Sequence, residues 1–135
     1  MLQLPFLYFY PVQTFTKQER LCRAEEIDNL FISGDTLMCS PFRAVWLLSD
    51  KKQENPAQIL IVAPKRNIAK AIDRNKIKRM VREAYRMNKA TFYEALTPTK
   101  KHMQFALIYQ LEKIVTYSVI VEKIKLVLLR LSKKI

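Results

Sequence analysis

The spacing of hydrophobic and polar positions divides the chain into short strands and longer helices. Three apolar runs rich in β-branched and aromatic residues, at 42–49, 58–63 and 104–110, predict strands. The turn-prone stretch between the first two runs favours a hairpin made of those two strands. A further short strand could lie between Asp35 and Ser40.

The segment before these runs predicts a first helix. Thr16 is followed three residues later by Glu19, which is the spacing of a capping box. We therefore expect one helix, straight or bent, that starts near Lys17 and ends near Ser33. Gly34 then stands just after the helix end, where glycine is common.

Two further helices follow from apolar positions three and four residues apart. Within residues 64–89 the inward stripe comprises Ile77, Met80, Val81 and Ala84. From Tyr117 to the C-terminus the stripe comprises Ile120, Val121, Ile124, Val127, Leu128 and Leu131. The order α-β-β-α-β-α predicts an α+β sandwich with one small sheet. We assign residues 15–135 to a single domain and expect residues 1–14 to be a poorly ordered extension.

The positive charge of the chain is concentrated on the middle helix. Residues 64–89 hold ten Lys or Arg against Asp73 and Glu83, a local net charge of +8 out of +12. Such a field attracts the phosphates of a nucleic acid. Asn75 adds groups that can bind a base edge, a 2′-hydroxyl or a hydrated metal ion. An ordinary solvated helix face is the alternative. The i, i+4 row comprises Arg74, Lys78, Arg82 and Arg86.

The strand at 42–49 suggests a second binding surface. Alternation places Arg43, Val45 and Leu47 on one of its faces. An arginine between apolar neighbours predicts that this face is partly open to a ligand. Aromatic residues that could stack on unpaired bases, each of them equally a candidate core residue, are Phe31, Phe42, Trp46, Phe92, Tyr93, Phe105 and Tyr109.

The composition excludes several classes of chemistry. A single glycine rules out a Walker-type phosphate loop and a GxGxxG fingerprint. Cys22, Cys39 and the only histidine, His102, form no zinc ligand set. We expect both cysteines to be reduced and packed as small apolar groups in a cytoplasmic protein. His102, expected in a basic loop, is not a convincing catalytic residue, so any reaction must borrow its catalyst.

The residues 74–79, Arg-Asn-Lys-Ile-Lys-Arg, followed by Arg82-Glu83 and Arg86, closely resemble the RNR signature helix of the bacterial ribonuclease P protein family. The sequence FTKQERL and the spacing of Phe31 and Gly34 are also similar to this family. Lys76 stands in place of the second arginine of the signature and loses its bidentate geometry. Ile27 stands where many members have a phenylalanine.

The resemblance implies an α-β sandwich of the ribosomal protein S5 domain 2-like type with a left-handed βαβ crossover. It also implies a subunit that joins a catalytic RNA and promotes removal of the 5′ leader from precursor tRNA. The catalytic centre is then in the RNA, and Mg²⁺ is bound mainly by that RNA. The implied RNA-subunit contacts are Lys65, Arg66, Lys70, Arg74, Asn75, Lys76, Lys78, Arg79, Arg82 and Arg86. Implied contacts with the leader, in a central cleft, are Phe31, Arg43 and Val45.

Two other functions are compatible with a basic amphipathic helix. The chain could be a general RNA-binding or ribosome-associated protein without a role in tRNA processing. It could also dock on anionic lipid, but the apolar stripe of the helix lacks Trp and Phe and is narrow enough to be ordinary core. No segment has the ~20 clean apolar residues of a bilayer span. We expect no membrane partner, no tightly bound metal and no obligate protein partner.

Overall fold

The computed structural model describes residues 15–50 and 55–135, and these form an α+β fold around one sheet. The predicted extension at residues 1–14 lies outside the described residues. Two short 3-10 turns, Lys17–Glu19 and Thr97–Thr99, accompany the main elements. In chain order these elements are α1 (Ala24–Ser33), β1 (Asp35–Cys39), β2 (Phe42–Ser49), β3 (Ala57–Val62), α2 (Ala71–Leu96), β4 (His102–Tyr109) and α3 (Tyr117–Ser132).

The four strands lie in the order β1-β2-β4-β3. β1 confirms the short strand expected after the first helix, and it forms an antiparallel hairpin with β2. The predicted hairpin of β2 with β3 is wrong, because β4 lies between them, antiparallel to β2 and parallel to β3. Parallel neighbours need a long crossover connection, and α2 provides it. The left hand of that crossover stays a prediction.

Alternation along β4 separates two hydrophobic cores. Met103, Phe105 and Leu107 belong to the main core, which also contains the buried residues of α2 and α3. Ala106 and Ile108, on the opposite face, belong to a smaller core with residues of α1. The sheet is therefore covered on both faces, with the larger layer on the side of α2.

Helix α2 places its predicted stripe inward. Ile77, Val81 and Ala84 are completely buried, while Met80 lies half-buried at the edge of the stripe. Towards the C-terminal end, Phe92 packs edge-on against Phe105 with 5.7 Å between ring centroids. Most of the aromatic residues that could have stacked on bases are thus core residues. The buried ones are Phe42, Phe92, Tyr93, Phe105 and Tyr109.

The N-terminal segment does not form the single helix that its sequence predicts. The capping box is present, and the Thr16 amide donates to the Glu19 carboxylate at 2.8 Å, but it caps only a 3-10 turn. After it the chain is extended, and the Leu21 amide donates to the Ile59 carbonyl at 2.9 Å. Because β3 is an edge strand with unpaired backbone groups, this extended stretch satisfies part of it. The regular helix begins only at Ala24.

Gly34 follows the end of α1 as predicted, and its position has no space for a side chain. Its backbone is extended, and an added Cβ would lie 2.5 Å from the Leu30 carbonyl oxygen and 2.9 Å from that of Trp46. Contacts below 3.0 Å to backbone atoms cannot be relieved by a side-chain movement. The glycine therefore lets α1 turn directly into β1.

The two cysteines differ in their environments. Both are free, but only Cys39 is buried, whereas Cys22 is exposed on the extended stretch before α1. The expectation that both pack as small apolar groups is wrong for Cys22. Among the helices of the described segments, none is both long enough and apolar enough to cross a membrane.

A buried ion pair joins the N-terminal turn to α2. The Lys89 ammonium bonds to the Glu19 carboxylate, and the Tyr93 hydroxyl donates to the same carboxylate. Both charged side chains are essentially inaccessible to solvent. Burial lowers the pKa of Lys89, and the hydrogen bond to Glu19 opposes that shift. Lys89 is therefore part of the interior, although the sequence places it among the cationic residues of the helix.

Replacing Lys89 by methionine should destabilise the protein by about 3 to 5 kcal/mol, because the Glu19 carboxylate stays buried without its countercharge. Urea denaturation measures the loss. Lys76→Met, at an exposed position of the same helix, is the control and should change stability by less than about 0.5 kcal/mol. The double variant Glu19→Gln/Lys89→Met should recover part of the loss. A Lys89→Met protein as stable as the wild type would contradict this role.

Candidate nucleic-acid interface

The outer side of α2 presents a cationic face. Asn75, Lys76 and Arg79 are exposed, and Lys78 and Arg82 expose part of their side chains. Among the described residues, none of these five side chains makes a hydrogen bond or ion pair. We call these five residues the cationic face of α2. Its donors are available to an external anion, as the sequence predicts for this side of the helix.

The two ends of the predicted i, i+4 row differ from its middle. Arg86 pairs with Glu83 at 2.6 Å, and the hydrogen bond from Arg86 lowers the pKa of that carboxylate. Arg74 donates from Nη1 to the carbonyl oxygens of Ile68 and Ala69, at 3.0 and 2.6 Å. Part of the donor capacity of each arginine is thus used within the protein. The row is not four equivalent phosphate-binding groups.

The segment between β3 and α2, residues 63–70, carries three further predicted contacts. Lys65, Arg66 and Lys70 are exposed at its surface. The turn is held by Asn67, whose side-chain amide donates to the Tyr109 carbonyl at 3.0 Å. Sequence analysis did not single out Asn67, since asparagine in a turn is common and its partner lies 42 residues away. The loop brings its cations to the N-terminal end of the cationic face.

On the other face of the sheet, we call the surface between α1 and strands β2 and β4 the cleft, and the predicted leader contacts on this side differ in exposure. Phe31 on α1 is 42% exposed and Arg43 on β2 is half-buried. Val45 is only 2% exposed, because it packs with Leu21 and Leu30 in the smaller core. Its side chain is almost completely covered, and a direct contact of Val45 with the leader stays a prediction. Val45 supports the cleft from below.

The sheet register places Arg43 at the same end of the sheet as the basic loop. Arg43 pairs with Ile108 on one side, and Val62 pairs with Ile108 on the other. Lys65 and Arg66 follow Val62 within four residues. This end of the cleft is therefore cationic.

The opposite end of the cleft is acidic and polar. A cavity of about 350 Å³ lies there between the acidic residues of α1 and the far ends of β2 and β4. His102, at the start of β4 rather than in a loop, is buried, with Nδ1 2.8 Å from the Asn55 carbonyl oxygen. Burial lowers its pKa. The residues at the mouth of this cavity include Glu25, Glu26, Asn29 and Gln104.

The described side chains do not fit a tight magnesium site. Within residues 15–50 and 55–135 there is no group of three His, Cys, Asp or Glu residues that could hold a metal ion. The cationic face itself repels a free divalent cation. Asn75 is the exposed neutral group on that face, and its amide oxygen is suited to the hydration shell of an ion held by another molecule.

These features define a class: a small, strongly basic α+β protein that has a cationic helix face on one side of its sheet and a cleft on the other side. The family model described as Ribonuclease P matches residues 15–130. The chain therefore belongs to the ribonuclease P protein family.

Individual relatives agree with this assignment. The ribonuclease P protein component of Porphyromonas gingivalis W83 is 34% identical over 86 residues, which cover 64% of this chain and 63% of the relative. The chain thus spans slightly less than two-thirds of that relative. The component of Chlorobium phaeobacteroides is 31% identical over 106 residues, or 73% of each chain.

Solved structures confirm the fold. The RNase P protein of Thermotoga maritima superposes with a TM-score of 0.63 at 27% identity, covering 87% of this chain and 97% of that one. The RNase P protein of Staphylococcus aureus gives a TM-score of 0.66 at 20% identity with the same coverage, and this likeness concerns the fold alone.

The hydrogen bonds of Arg74 predict different effects for two adjacent substitutions. Arg74→Ala should lower the free energy of unfolding by about 1 to 2 kcal/mol, because two backbone carbonyls lose their donor. Asn75→Ala should change it by less than about 0.5 kcal/mol, since that side chain is exposed. Thermal and chemical denaturation of the two variants provides the measurement. Equal stability of both variants would show that the loop does not depend on Arg74.

Proposed function

We propose that this chain is the protein subunit of ribonuclease P, which joins a catalytic RNA and promotes removal of the 5′ leader from precursor tRNA. The observation that carries the proposal is the family match over residues 15–130, in which the signature residues of α2 form an exposed cationic face. That this chain has the same function as the named relatives is part of the proposal.

The RNA subunit binds the cationic face of α2 and the adjacent basic loop. Lys76, Lys78, Arg79 and Arg82 have donors that no described residue occupies, so binding costs no broken ion pair for them. Each neutralised phosphate releases condensed counterions, which makes the association favourable and dependent on salt. Arg74 contributes its remaining donors from the N-terminal end of the row, and Arg86 lies at the other end, where it is paired with Glu83.

The chemistry belongs to the RNA in this proposal. The protein supplies no metal-binding cluster among its described residues, and its histidine is buried. Mg²⁺ bound mainly by the RNA supplies the hydrolytic chemistry. The residues of this chain screen the repulsion between two RNA molecules and hold the substrate, so they act on affinity and on the metal concentration required.

The leader lies in the cleft on the other face of the sheet, and it enters at the cationic end. Arg43 can contact a phosphate there, and the exposed ring of Phe31 can stack on an unpaired base. The acidic residues at the far end of the cleft repel phosphate. Arg43 and the basic loop therefore favour contact with the backbone of the leader at their end of the cleft.

The purified protein alone should not cleave precursor tRNA, whereas adding a bacterial ribonuclease P RNA at low Mg²⁺ should restore production of the mature 5′ end. Gel analysis of end-labelled precursor measures both. The Lys76→Gln/Arg79→Gln variant removes two charges of the cationic face, and it should require more Mg²⁺ or more protein for the same rate.

Two results would contradict this function. One is cleavage by protein free of RNA that a substitution in this chain abolishes. The other is recovery of ribosomal RNA without any ribonuclease P RNA after pull-down from cells, which would favour a ribosome-associated protein. Co-sedimentation with anionic vesicles at physiological salt would instead support lipid docking.

Phe31→Ala should weaken binding of precursor tRNA to the assembled complex by about 1 to 3 kcal/mol, because one stacked base loses its partner. Binding of mature tRNA, which lacks the leader, should not change. Ile32→Ala is the matched control, since Ile32 is the next residue of α1 and is 83% exposed. A loss of the same size for both RNAs, or for both variants, would place the leader elsewhere.

A further inference from the structure

The basic loop before α2 is a built element rather than a loose connection. Its turn closes through the Pro64 carbonyl, which accepts from the amides of Asn67 and Ile68 at 3.1 and 3.0 Å. Ile68 is buried, so it anchors the loop in the main core. From the side of α2, Arg74 donates to the carbonyls at the end of the turn. The backbone that carries Lys65 and Arg66 is therefore held from two directions.

A third attachment joins the loop to the end of β4. The Asn67 side chain donates to the Tyr109 carbonyl at 3.0 Å. Tyr109 is itself fixed, because its hydroxyl donates to the Lys113 carbonyl at 2.8 Å and accepts from the Val115 amide at 3.1 Å. Its ring also packs edge-on against Phe42. Asn67 thus ties the loop to one of the most constrained residues of the sheet.

We propose that Asn67 is a positioning residue, which orders the loop so that Lys65 and Arg66 present a preformed pair of cations to two phosphates of the RNA. The proposal rests on the proposed function. Asn67 is half-buried and uncharged, and it acts through the two residues before it. Without this hydrogen bond the backbone must lose more freedom for Lys65 and Arg66 to bind, and we expect that cost to exceed the gain from the two phosphate contacts, so that the contacts are lost.

The test is the salt dependence of binding to a bacterial ribonuclease P RNA transcript, measured from about 50 to about 300 mM KCl. Each phosphate contact contributes about 0.7 to 0.9 to the slope of log Kd against log salt. Asn67→Ala should lower that slope by about 1.4 to 1.8, the contribution of two phosphate contacts, and weaken binding about tenfold at about 0.1 M salt, although it removes no charge. Asn67→Ser is a second variant with a side chain too short for the Tyr109 carbonyl.

Asn88→Ala is the matched control. The Asn88 side chain also donates to a backbone carbonyl, that of Ala84 at 2.7 Å, but it lies far along α2 from the loop. This variant likewise removes a side-chain amide that bonds to a backbone carbonyl, and it should keep the wild-type slope. A change in slope therefore separates positioning of charges from general destabilisation.

A double-mutant cycle completes the test. Lys65→Gln/Arg66→Gln should lower the slope in the wild-type background and have little further effect in the Asn67→Ala background. An unchanged slope for Asn67→Ala, or full additivity with the two charge removals, would overturn the positioning role while leaving the proposed function intact. Failure of the wild-type chain to bind the RNA at all would instead overturn both.

Discussion

Glu19 and Lys89 form an ion pair in the interior of the protein, and this pair constrains how the N-terminal turn packs against α2. Each charge is tolerated there only because the other is present, and the Tyr93 hydroxyl completes the bonding of the carboxylate. The pair connects the turn at the start of the described chain with the C-terminal half of a 26-residue helix. Lys89 lies on the same side of that helix as the buried apolar stripe, and the opposite side carries the repelling cations. Packing provides the stability that the row of like charges takes away.

The charged residues described for the two sides of the sheet are distributed unevenly between its two ends. The basic loop, the N-terminal end of α2 and Arg43 lie at one end, where β3 and β4 finish side by side. The acidic residues of α1 and the buried His102 lie at the other end. A catalytic RNA on α2 and a leader bound at Arg43 would therefore approach each other at the same edge of the sheet. The hydrogen bonds of Asn67 and Arg74 hold the loop at that edge.

Local patterns predicted many of the elements and part of the candidate site. The bounds of β2 and the inward stripe of α2 match the periodicity closely, since both are set by residues near in sequence. The predicted hairpin of β2 with β3 is wrong because strand pairing depends on residues that are distant in sequence, and β4 lies between the two strands. The predicted start of the first helix near Lys17 is wrong, because the chain around Leu21 is extended and bonds to the edge of β3. The family resemblance implied a leader contact at Val45, and alternation gives the face of a strand but not what covers that face.

The amino-acid sequence by itself determined the α+β class, the concentration of charge on one helix and the family, because composition, periodicity and a signature motif are local properties. The tertiary structure alone decided which of those charges remain available. Lys89 is buried against Glu19, Arg86 pairs with Glu83, and Arg74 holds the loop, while the middle of the row stays open. The physical reason is that the availability of a charged group depends on its partners and its exposure, and both come from segments that are distant in the sequence and meet only when the chain folds.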